Sequence, residues 1–169
     1  AEGFDRVNVL TASWGSGKSN RNALRWDQPE VSAEVLARRP TDPALITPAV
    51  SEVAQHCGAA LVGMTRLDPR WIYAEVQRNH CSPEPPITQR IDVIEAEAPG
   101  ETDEALILPA HLQHVIVLAV AMDPAMIASA PSLLAEAATG LGYSDAARAA
   151  ISVSAFIQAL GYQAIPSMN

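Results

Sequence analysis

An unbroken apolar run, Val-Ile-Val-Leu-Ala-Val at 115–120, is rich in β-branched residues and predicts a strand buried on both faces. Asp123-Pro124 stops it. Beyond, the apolar spacing changes from continuous to helical. Leu133, Leu134, Ala137 and Leu141 fall at helical intervals, with Pro131 placed to open the helix and Gly140 and Gly142 placed to break it. A second helix follows, capped by Ser144 or Asp145. On it Ala146, Ala150, Val153, Ile157 and Leu160 recur at four, three, four and three residues and define one face. Gly161 sits where a left-handed residue ends a helix, and residues 162–165 read as a further short strand before Pro166.

Upstream, Val50, Val53, Ala54 and Cys57 share the face of a helix over 48–60, ended by Gly58. Residues 61–64, 71–76 and 90–97 read as strands, and 106–112 leads into the main one. Residues 31–38 form a short helix stopped by Pro40. Three prolines make 79–87 a loop, and the acidic stretch 95–104 reads as a solvated connection. Residues 1–45 are an irregular N-terminal segment apart from the short helix. Helices and strands interleave without a repeat, which predicts an α+β domain.

Composition narrows the function classes. A chain of 169 residues with 49% hydrophobic residues is long enough to build a core. The net charge of −8 argues against general binding to nucleic acid or to anionic membranes, because phosphate contacts need clustered Lys and Arg. No run reaches the ~18 apolar residues of a membrane span. No leader pattern is visible and a cytoplasmic location is expected, although the chain begins with Ala, so a cleaved export signal stays open. Cys57 and Cys81 are the only cysteines. They make no disulfide framework and are too few to ligate an iron–sulfur cluster. His80-Cys81 is adjacent but has no further ligands nearby in sequence. Trp14 to Ser19 (WGSGKS) imitates a phosphate-binding loop, yet Ala12 occupies the position of its first glycine and no helix pattern follows, so a surface loop is the plainer reading.

The segment from 114 onward resembles the corrinoid- and iron–sulfur-dependent reductive dehalogenases. The resemblance is carried by the strand and Met122-Asp123, Ala130-Pro131-Ser132, Ala138-Thr139-Gly140, Gly142-Tyr143-Ser144 and Leu160-Gly161-Tyr162-Gln163-Ala164-Ile165-Pro166, in one order and nearly without gaps. A weaker match covers Cys57 to Gly63 and Leu67 to Tyr73. The resemblance implies a nitroreductase-like mixed sheet flanked by helices, with 46–169 as part of a corrinoid-binding α+β domain. It implies cobalamin and two [4Fe–4S] clusters as cofactors, a halogenated organic substrate and a separate electron donor. It also implies that this stretch is the N-terminal, corrinoid-binding part of a longer enzyme, because the family's cysteine-rich cluster motifs do not occur here.

By position in its motif Tyr162 matches the family's proton donor. A phenol is protonated at neutral pH and can donate to a developing carbanion. A cationic partner would stabilise the phenolate, and the sequence identifies none. Without the resemblance, Tyr162 reads as a strand residue packing its ring. Tyr143, Ser167 and Asn169 are the expected corrinoid-lining residues, with Ser144 as an N-cap. His111 and His114 read as surface residues and no axial cobalt ligand is identifiable. Two other readings remain: a non-catalytic or vestigial corrinoid-binding module, and an epoxyqueuosine reductase-like enzyme, which the acidic charge disfavours.

Overall fold

A computed structural model describes residues 26, 28–78 and 87–167. It is an α+β protein with two compact units. The first comprises Val31–Gly63 and Val117–Asn169, and the second is built from Met64–Ile116. The elements of the chain are α1 (Ala33–Ala37), α2 (Pro43–His56), β1 (Leu61–Arg66), a 3-10 turn (Pro69–Trp71), β2 (Glu75–Arg78), β3 (Ile87–Ile94), β4 (Gly100–Glu101), β5 (Ala105–Pro109), β6 (His114–Ala119), α3 (Pro124–Ala128) and α4 (Leu133–Ala159).

The first unit is organised by α4. The sequence predicts two helices here, but one helix of 27 residues runs through Gly140 and Gly142. Each glycine costs a helix interior about 1 kcal/mol relative to alanine. At Gly142 close packing offsets that cost: a Cβ there would lie 2.9 Å from Met122 Cγ, so only glycine admits the methionine. Ser144 is therefore no N-cap. Its hydroxyl donates back to the Gly140 carbonyl at 3.0 Å, and Thr139 does the same to Ala135 at 3.0 Å, which keeps both side chains compatible with a helix interior. Ser132, not Pro131, starts the helix. It adopts extended backbone, and its hydroxyl accepts from the Ala135 N–H at 3.2 Å. The buried positions are small: Ala135, Ala138, Gly142, Ala149 and Val153 form one stripe, and Ala147 and Ser154 are buried on another side of the helix. The larger Leu134 and Leu141 point outward. Sequence spacing found the helix but selected the wrong face in its first half, because large apolar residues outweigh alanine in such a pattern.

α2 packs on α4 with Val50 and Ala54, both buried. It begins five residues before the expected Pro48. Asp42 caps it by accepting from the Ala44 N–H at 2.9 Å, and Pro43 occupies the first turn, where a missing N–H costs nothing. It ends as expected at Gly58, whose φ of +103° suits glycine. α3 is a short helix that the sequence reading passed over. Asp123 caps it through the Ala125 and Met126 N–H groups, so Asp123-Pro124 starts a helix as well as stopping a strand.

β1 and β6 form a two-stranded ribbon. The Ala60 N–H donates to Ala119 at 2.7 Å and the Leu67 N–H to Gln113 at 2.8 Å, so the strands run antiparallel. Leu61 and Val117 are exposed. The expectation of a buried strand is not met: no residue of β6 is buried, and Val117 is 56% exposed. The second unit holds a four-stranded mixed sheet in the order β2-β3-β5-β4. β3 is antiparallel to β2 and parallel to β5, and β4 is antiparallel to β5. Gln89 is buried in it and donates to the Thr102 carbonyl at 2.6 Å. The acidic connection is mostly exposed but contributes β4 to this sheet. In the turn before β2 the Arg70 guanidinium holds the Asp68 carboxyl below the usual carboxylate range, and Asp68 in turn raises Arg70. Both are solvent-accessible, so the pair is a weak stabiliser.

Past α4 the chain does not form the strand expected at 162–165. Gly161 turns it with φ +85°, and the Ala164 carbonyl accepts from Ser154 Oγ at 3.2 Å and Gln158 Nε2 at 2.9 Å. Side chains of the helix take the place that a neighbouring strand would fill. Among the described residues no helix is long and apolar enough to cross a membrane.

Three substitutions test this account of the backbone. At Gly58→Ala the added Cβ makes only an ordinary contact, 3.7 Å from Arg148 Nη2, so its cost is conformational and is expected to reach about 1 kcal/mol or more, seen as a lower urea midpoint with an unchanged slope. Gly63→Ala, with nothing within 4 Å and no left-handed φ, serves as the control and should stay within about 0.5 kcal/mol of the parent. Ser154→Ala should cost about 1 kcal/mol and should speed amide exchange in 162–166 more than in α2.

Candidate functional site

Of the four residues that the resemblance nominates, three lie among the described residues, and Tyr143 is far along α4 from Tyr162. Tyr143 lies within α4 and is 43% exposed. At 1.5 Å per residue it is about 24 Å along the helix from Ala159, near which Tyr162 begins its own segment. Ser167 is exposed, just beyond the buried Pro166. Asn169 lies outside the described residues, as do Cys81, His80 and the WGSGKS stretch.

Tyr162 is the residue with a defined setting. Gly161 reverses the chain, and the Tyr162 N–H donates to the Ile157 carbonyl at 3.2 Å, which closes the helix end. Its half-buried ring extends toward the turn after α1. There its hydroxyl donates to the Pro40 carbonyl. The Arg39 guanidinium lies over the ring, 4.8 Å from its centroid, and Arg39 Nη1 donates to the Gly161 carbonyl at 3.4 Å. A cation over an aromatic face is attracted by the ring's quadrupole. Arg39, a cation that the structure places against this ring, lies 122 residues earlier in the chain than the glycine it bonds. Nothing in the Arg38-Arg39-Pro40 triplet signals this, since a basic residue at a helix end is ordinary.

The chemistry of the surroundings bears on the implied cofactors. A [4Fe–4S] cluster takes four thiolates. The chain has two cysteines, and Cys57 is a free, half-buried thiol at the end of α2. Among the described residues no group of three or more His, Cys, Asp or Glu could hold a metal ion. His111 and His114 are exposed. The hollow between α1 and the end of α4, lined by Val35, Pro40 and Leu160 among others, measures about 230 Å³. Small-ligand sites span about 300–1,000 Å³. An open groove of about 540 Å³ runs between α3 and the start of α4, beside Ile127, Pro131 and Thr139, away from Tyr162. These residues do not fit the iron–sulfur clusters, and they do not by themselves enclose a corrinoid.

No family model matches the chain. It is similar to the tetrachloroethene reductive dehalogenase of Sulfurospirillum multivorans, with 35% identity over 180 aligned residues that cover 95% of this chain and 35% of that protein. The chain therefore spans about a third of the length of that curated relative. The similarity includes the first unit and the second, not only the segment from 114 onward that carried the clearest motifs. By this similarity the chain belongs to the reductive dehalogenase family.

Proposed function

We propose that this chain is the proton-donating part of an enzyme that reductively removes halide from an organohalide. The reaction is R–X + 2 e⁻ + H⁺ → R–H + X⁻. The observation that carries the reading is the 35% identity to a tetrachloroethene reductive dehalogenase across 95% of the chain. The cobalamin and two [4Fe–4S] clusters that the family resemblance implies supply the electrons when bound, and in this reading their ligands come from sequence other than these residues. The halogenated substrate and the electron donor are likewise proposals on the strength of that relative.

What the chain itself contributes is the proton. Tyr162 carries it on a phenolic oxygen at the end of a short segment that Ser154 and Gln158 hold to α4. The anchor restricts where the hydroxyl travels, which favours a defined approach to a reacting carbon. Arg39, 4.8 Å from the ring centroid, restricts the motion of the ring further.

A second reading has its own observation. The Tyr162 hydroxyl is bonded to a backbone carbonyl, which is how a half-buried tyrosine commonly satisfies its polar end. On that reading the chain is a corrinoid-binding module without catalysis, and Tyr162 fastens one turn to another.

Tyr162→Phe separates them. In the full-length polypeptide the first reading predicts unchanged corrinoid content and a fall in turnover of about 100-fold or more, the usual worth of a positioned general acid. Unchanged turnover would leave Tyr162 with the structural role alone.

A further inference from the structure

We propose that the turn after α1, Arg39-Pro40, is a clasp that holds Tyr162 with its proton directed into the protein's own backbone, and that the clasp must open before Tyr162 can donate to a ligand. The inference rests on the reading of Tyr162 as proton donor and adds a step that precedes donation.

Three contacts make the clasp. The Tyr162 hydroxyl spends its single proton on the Pro40 carbonyl. The Arg39 guanidinium covers one face of the ring at 4.8 Å. Arg39 Nη1 also ties to the Gly161 carbonyl at 3.4 Å, next to the ring it covers. A phenol has one O–H. While that group points at Pro40, no other acceptor can receive the proton along it, so donation requires this bond to break.

The rest of the segment is built to let go. α1 has five residues and buries none of them. Its N-cap bond, from the Val35 N–H to Ser32 Oγ, is long at 3.4 Å, and its one ion pair, Arg38 to Glu34 at 3.1 Å, is solvent-exposed on both sides. Leu36 is 47% exposed, and Val35 and Leu36 lie beside Gly161 without being buried. The hollow of about 230 Å³ lies under this helix, so the segment is incompletely packed against the end of α4. Few buried apolar contacts and an exposed backbone mark a segment that opens locally without global unfolding. The 162–166 segment has its own anchors elsewhere, in the Ser154 and Gln158 side chains that donate to the Ala164 carbonyl. The clasp can leave while the 162–166 segment stays in place.

Limited proteolysis of the full-length polypeptide reads the opening directly. Trypsin cuts after Arg38 but not after Arg39, because Pro40 follows, so cleavage at one bond reports the clasp. Tyr162→Phe removes the hydroxyl contact, and Arg39→Ala removes the other two. Each should speed the cut after Arg38 by about fivefold, the worth of one net hydrogen bond, while the cut after Arg70 in the second unit keeps its parent rate. Arg39→Ala should also raise kcat for a halogenated substrate with KM unchanged. Unaltered cleavage after Arg38 in both variants, or a parallel rise after Arg70, overturns the clasp. Faster cleavage with kcat not raised overturns its role as a restraint on donation. If the parent polypeptide releases no halide at all, the dehalogenase reading fails instead, and the cleavage rates still decide whether the contacts hold the segment.

Discussion

Close approach of backbone to backbone along one alanine- and glycine-rich helix is the constraint on which the first unit depends. Ala147 and Ala149 are fully buried, Ala54 on α2 has no exposure either, and Gly142 leaves room for Met122. Small side chains bury little area each, so stability comes from near contact of many backbone atoms rather than from a few large anchors. A larger residue at any of these positions would separate α2 from α4 or displace Met122. The same helix decides where the candidate site lies. It ends at Leu160, Gly161 reverses the chain, and two polar side chains from its last turns hold the following segment. Tyr162 is placed by the helix end and not by a sheet.

Much of the architecture was legible in the sequence, and the failures have particular causes. Gly58 and Gly161 read correctly because a left-handed residue after a helix has a strong local signature. The strands expected at 61–64, 90–97 and 115–120 are present with ends shifted by up to three residues, whereas 71–76 is strand only from Glu75, and β4 and β5 were not expected as strands. The long helix was misread as two because glycine punctuation usually prevails over propensity, and here tertiary packing prevailed over the punctuation. The expected strand at 162–165 failed for a related reason: four residues with a tyrosine and an isoleucine carry no information about whether a neighbour strand exists to receive them. Pro131 was assigned the helix start that belongs to Ser132, one residue on.

The candidate site shows a sharper boundary. Tyr162 was legible only through its place in an ordered motif, because one tyrosine in an apolar segment is ordinarily a packing residue. Its setting was not legible at all. Arg39 and Pro40 are joined to it by folding across most of the chain, with no spacing that could announce them. The structure also separates residues that the motif listed side by side in function. Tyr143 sits partway along α4 and Ser167 on the surface, so any shared role would require sequence that completes a pocket around both. The chain is similar to about a third of the length of a known dehalogenase.

The most direct test gives the full-length polypeptide a chlorinated alkene and a low-potential reductant in deuterated water. Chloride release and the isotope in the product are then measured together. The account predicts one chloride for every two electrons consumed and one solvent-derived deuterium at the carbon that lost chlorine. A polypeptide loaded with cobalt and iron that consumes electrons yet releases no halide from any of a panel of organohalides would contradict it.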